Sequence, residues 1–74
     1  MLFNYDKLNG RITEICKTRK EFAKRLSISM NSLTNKLDNR TPFKQEEIIK
    51  SMEILDILPE ELTQYFFNLK VEKN

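Results

Sequence analysis

Apolar residues recur along this chain at intervals of three and four, in separate runs. Leu8, Ile12 and Ile15 form the first, on a helix that Asn4 or Asp6 can cap and that extends to about Lys17. Phe22, Ala23 and Leu26 form the second, and Leu33 and Leu37 the third. Phe43, Ile48, Met52 and Leu55 mark a fourth helix from about Lys44, with Gln45, Glu46 and Glu47 placed to complement its dipole. The run Ile57-Leu58-Pro59-Glu60-Glu61-Leu62 restarts a short fifth helix, with proline in its favoured first-turn position. Tyr65, Phe66 and Phe67 follow, and the alternation from Phe66 to Val71 would allow one short C-terminal strand. The pattern predicts an all-α domain of five helices spanning residues 1–74.

The stretch from Thr18 to Thr41, TRKEFAKRLSISMNSLTNKLDNRT, organises the rest. Thr18 and Glu21 have the spacing of a capping box, in which each side chain takes a backbone N–H of the other. Ser27-Ile28-Ser29 interrupts the apolar period, and Ser29 can cap the helix that ends at Leu37. Asn39 suits a left-handed helix exit, and Pro42 prevents continuation. Two short helices with Ile28 as a plug between them match a helix-turn-helix, whose second helix enters the DNA major groove. On that second helix Met30, Asn31, Thr34, Asn35 and Lys36 are left for water or a partner.

Through Phe22, Ala23, Leu26, Ile28, Leu33 and Leu37, without a gap, residues 18–37 resemble the helix-turn-helix of lambdoid phage repressors and Cro proteins. The Asp38-Asn39-Arg40-Thr41 exit and the Tyr65-Phe66-Phe67 ending resemble small Cro-like regulators from phages of low-GC Gram-positive bacteria. One departure stands in the turn, where that family usually has glycine and this chain has Ser27. A serine held at positive φ costs about 1 kcal/mol. The resemblance implies base-edge contacts from Met30, Asn31 and Asn35, with Ser29 and Thr34 beside them. Asparagine can bond adenine bidentately, and methionine or threonine can pack on a thymine methyl. It further implies a homodimer on a palindromic double-stranded DNA operator, with half-sites about 34 Å apart.

Charge sharpens this picture. The whole chain carries only +2, but residues 17–50 hold nine Lys/Arg against four Asp/Glu, and residues 51–74 hold two against five. A basic middle and an acidic end fit one nucleic-acid face. Arg19 at a helix N-terminus, with Lys36, Arg40 and Lys44 after the second motif helix, is a candidate phosphate contact. Lys20, Lys24 and Arg25 are ambiguous between phosphate and water. Ile57, Leu58, Tyr65, Phe66 and Phe67, within a segment 57–71, are the candidate dimer surface; the competing reading closes the core with all three aromatics.

Catalysis has little to work with. Histidine is absent, no glycine-rich phosphate loop occurs, and the adjacent pairs Glu46-Glu47 and Glu60-Glu61 point apart on a helix. Cys16 is alone, beside Ile12 and Ile15, and reads as a buried inert thiol in a reducing compartment. Neither a signal peptide nor a membrane-spanning run is present. The sequence therefore predicts a cytoplasmic DNA-binding regulator of the Cro type, without enzymatic activity, metal, cofactor or small-molecule ligand. The alternatives from the same residues are a protein-interaction module that keeps the fold, or the antitoxin of a toxin pair.

Overall fold

The computed structural model describes residues 2–71. Five α-helices follow one another in it: α1 (Asp6–Cys16), α2 (Arg19–Leu26), α3 (Met30–Leu37), α4 (Gln45–Leu55) and α5 (Leu62–Phe66). A 3-10 turn at Pro59–Glu61 leads into α5. The short strand that the alternation from Phe66 to Val71 would allow is not formed. Phe66 still belongs to α5, and among the described residues one isolated antiparallel bridge joins Phe3 to Leu69. Around that bridge Asn4 N–H donates to the Asn68 carbonyl at 2.6 Å and Lys70 N–H to the Leu2 carbonyl at 3.0 Å, so the two ends of the domain are clasped.

One core holds the helices together. Leu8, Ile12 and Cys16 of α1, Phe22, Ala23 and Leu26 of α2, Leu33 and Leu37 of α3, and Leu55 of α4 are buried with Tyr5, Ile57, Tyr65 and Phe66. Ile15, Ile28, Phe43, Ile48 and Met52 are half-buried against it. Edge-to-face rings close the bottom, with Tyr5 and Phe43 at 5.5 Å and Phe43 and Phe66 at 5.3 Å between centroids. Two residues outside the apolar pattern also shape the packing. Ser51 is fully buried on α4, its hydroxyl donating to the Glu47 carbonyl at 2.7 Å. Arg11 reaches from α1 to the end of α4, where its Nε donates to the Leu55 carbonyl at 2.8 Å. A cation there complements the helix dipole and satisfies an orphan carbonyl.

The helix ends explain the local breaks. Neither Asn4 nor Asp6 is the cap residue of α1; Tyr5 holds that position, and Asn4 Oδ1 accepts the Asp6 N–H at 2.8 Å. Lys17, Ser27, Asn39 and Asp56 adopt positive φ values of 72°, 62°, 63° and 52°. These residues turn the chain out of α1, α2, α3 and α4, and none of them is glycine. The single glycine, Gly10, sits inside α1, and a Cβ built there meets nothing within 4 Å. It marks no close approach between helices.

Gly10→Ala should therefore raise stability by about 1 kcal/mol, since alanine removes helical entropy loss without a clash. Ser27→Gly should add up to about 1 kcal/mol by relieving the left-handed turn. Urea unfolding of both variants and their combination checks this; the sites are independent, so the effects should add.

Candidate functional site

The paired helices α2 and α3 are built from their caps. Thr18 Oγ1 accepts the Glu21 N–H at 3.1 Å and opens α2. The reciprocal half of the expected capping box is not made: the Glu21 carboxylate turns instead to Arg25, whose Nε donates to it at 2.8 Å. The Arg25 hydrogen bond holds the Glu21 carboxyl below its usual range and the guanidinium above its own. Both groups face water, so the pair adds little stability. At the end of α2 the left-handed Ser27 lets its N–H reach the Lys24 carbonyl at 3.1 Å, while Ile28 N–H reaches Ala23 at 3.0 Å. Ser29 Oγ then accepts the Ser32 N–H at 3.0 Å and opens α3.

Leu33 and Leu37 bury one side of α3, and Ser29, Met30 and Asn31 are exposed at its first turn. Met30 is 40% exposed, enough for its thioether to reach a partner. Thr34 and Asn35 are half-buried, so they present less to the outside than the helical period predicts. Of the candidate phosphate contacts, Arg19, Arg40 and Lys44 are exposed, and their side chains have no hydrogen-bond or ion-pair partner among the described residues.

Lys36 is a correction. It is only 5% exposed, with its ammonium 3.0 Å from Glu47 Oε1 and donating to the Pro42 carbonyl at 3.2 Å. Glu47 Oε1 also accepts the Lys44 N–H at 2.8 Å, which closes the start of α4. Thus one carboxylate ties α3, the α3–α4 loop and the first turn of α4 together, and Lys36 is withdrawn from any phosphate. Burial pushes the Glu47 carboxyl up, but the Lys44 N–H and the Lys36 ammonium outweigh it and leave it below its usual value of 4.5. The sequence signalled only the capping bond, through the carboxylate at the third position of α4, and not the pairing with Lys36.

The candidate dimer surface is divided between the core and the outside. Ile57, Tyr65 and Phe66 are buried in the core of the monomer, leaving only Leu58 (52% exposed) and Phe67 (45%) available to a partner. The bulk of the aromatic run thus closes the core. Sequence reasoning missed the reach of Asn39. Its Oδ1 accepts the Phe3 N–H at 2.8 Å and its Nδ2 donates to the Phe3 carbonyl at 3.0 Å, so the exit of α3 is tied to the N-terminal segment. Asparagine at a left-handed position was legible; a partner 36 residues away was not.

Among the described residues no group of three or more His, Cys, Asp and Glu could hold a metal ion, and no helix is long and apolar enough to cross a membrane. The arrangement exposes a polar helix start that carries Met30, and it leaves Arg19 at the start of α2 and Arg40 and Lys44 between α3 and α4 exposed, without a side-chain partner among the described residues. A family model described as "Protein of unknown function (DUF739)" matches residues 1–69. The fold is similar to the solution structure of the modulator of repression (MOR) of the temperate bacteriophage TP901-1 from Lactococcus lactis. Identity is 36%, the match covers 97% of each chain, and the TM-score is 0.80. No curated protein matches.

The Glu47 geometry fixes a pH dependence. A carboxyl lowered by folding stabilises the domain fully above the ordinary carboxylate range, and that contribution is lost as pH falls through the lowered value. Glu47→Gln should flatten the acid limb of stability measured by urea unfolding at stepped pH. Lys36→Met, which strands the carboxylate, should cost about 3 kcal/mol at neutral pH.

Proposed function

We propose that this chain, which belongs to the DUF739 family, is a phage-type regulatory protein whose α2–α3 face docks on double-stranded DNA. The observation that carries the reading is the exposed start of α3, Ser29, Met30 and Asn31, together with three exposed cations, Arg19 at the start of α2 and Arg40 and Lys44 between α3 and α4, that have no side-chain partner among the described residues. In this reading α2–turn–α3 is a helix-turn-helix, with α3 in the major groove and the cations on the flanking phosphates. Asn31 and the half-buried Asn35 would read adenine, and Met30 with Thr34 would pack on thymine methyls, so A·T-containing sites are preferred. The similar Lactococcus phage protein is a modulator of repression, and that likeness supports a role in controlling transcription. Such a protein works by binding in the cytoplasm, as a repressor, with no catalytic step and no cofactor. Two copies on a palindrome would meet through surfaces that include Leu58 and Phe67.

A second reading has its own observation. With Lys36 turned inward, the outward side of α3 carries no cation, and Met30 with the half-buried Ile28 gives it an apolar element. A regulator with such a face can act on a repressor protein rather than on the operator. In that case the helix pair is an interaction module, and the exposed cations steer the encounter.

Selection of bound duplexes from a random pool, followed by affinity across a salt series, separates the two. The DNA reading expects an enriched A·T-containing palindrome. It also expects Arg19→Ala, Arg40→Ala and Lys44→Ala each to reduce the log–log salt slope by about 0.9. With no enrichment and binding lost at physiological salt, the protein reading stands. It then expects Met30→Glu to abolish binding to the repressor of the same phage while Arg19→Ala leaves it nearly intact.

A further inference from the structure

A cleft of about 270 Å³ lies between the clasped ends of the chain and the loop joining α3 to α4. Its walls are aromatic, with Phe3, Tyr5, Phe43 and Phe67 among them, and Arg40 and Thr41 supply polar groups. The cleft is held open by its own bonds. Asn39, at left-handed φ, spends both ends of its amide on the Phe3 backbone, which fixes the loop against the N-terminal segment without filling the space between them. Pro42 stiffens the loop, and its carbonyl is occupied by Lys36. Phe3 and Phe67 meet edge-to-face at 6.0 Å, and Phe67 remains 45% exposed.

The chemistry of the lining selects its occupant. No carboxylate lines the cleft, and the one ionised side chain on it is Arg40, which has no side-chain partner among the described residues. An arginine among aromatic lining residues matches a molecule with a flat apolar body and one carboxylate, since arginine bonds carboxylates bidentately and ring edges pack on ring faces. The volume is at the small end for ligand sites, so the occupant has one ring system rather than several. We propose that this cleft is a binding site for a small planar aromatic carboxylate, held by the rings through its body and by Arg40 through its anion.

The test needs no DNA and so stands or falls apart from the reading of the α2–α3 face. The isotope-labelled full chain is titrated with benzoate, and in parallel with acetate and with benzyl alcohol, while amide shifts are followed by NMR. Saturable shifts at Phe3, Arg40, Thr41 and Phe43, with benzoate bound in the range of about 1 mM or tighter, are expected. Arg40→Gln should weaken benzoate by about tenfold, since it removes a charge-assisted hydrogen bond. Arg40 is exposed and unpaired, so this variant keeps the fold; Phe67→Ala, at another exposed position, should weaken benzoate as well. The proposal is overturned if benzoate gives no saturable shift by about 10 mM. It is equally overturned if acetate reproduces the shifts, which makes the loop a plain cationic surface, or if benzyl alcohol binds as well as benzoate.

Discussion

The ammonium of Lys36 sits where three pieces of chain meet, bonded to a carboxylate of α4 and to a carbonyl of the intervening loop. Taking two charges out of water costs several kcal/mol per ion, so such a pair contributes little net stability beside what apolar residues would give. Its value lies in geometry. Glu47 is already fixed by the Lys44 N–H, and Lys36 meets it there, so the pair fits the same rotation of α3 that the burial of Leu33 and Leu37 requires. In that rotation Leu33 and Leu37 face the core, and Met30 and Asn31 are exposed. With Lys36 buried, the helix offers no positive charge of its own. Cations for a partner must come from outside α3.

The basic middle of the chain thus divides its work. Lys36 and Arg25 are committed to carboxylates within the domain, and Lys50 donates to Ser27 in the turn at 3.3 Å. Arg19, Arg40 and Lys44 are exposed, and their side chains have no partner among the described residues. A local charge balance counted along the sequence overstates what is available outside. The same arithmetic missed Arg11, which spends its guanidinium at the end of α4 and on Glu14.

The helices and most of the core were legible because each apolar run has a period of its own and is bounded by a recognisable cap. Thr18 and Ser29 behave as their spacing predicts. What the sequence did not disclose lies in long-range polar choices. A lysine on a polar helix face gives no sign that a carboxylate eleven positions later will draw it inward, and a glutamate at a capping-box position can prefer an arginine one turn on. The aromatic run left two readings open for a different reason. Three adjacent rings cannot share one face of a regular helix, but α5 ends at Phe66, so Tyr65 and Phe66 turn in while Phe67 leaves the helix and stays half outside. The segment that alternation would have allowed to be a strand is likewise divided between a helix end and a bridge to Phe3.

The four left-handed exits carry a consequence for how the chain assembles. Lysine, serine, asparagine and aspartate do not choose that conformation strongly by themselves, and lysine and serine resist it. Each of these exits therefore depends on packing between helices distant from it for its persistence. An excised α2–α3 peptide would lack that support, and its turn would relax toward a continuous or frayed helix. The motif is thus a property of the entire domain, and the chain should form it in one all-or-none step with the core rather than as a preassembled unit.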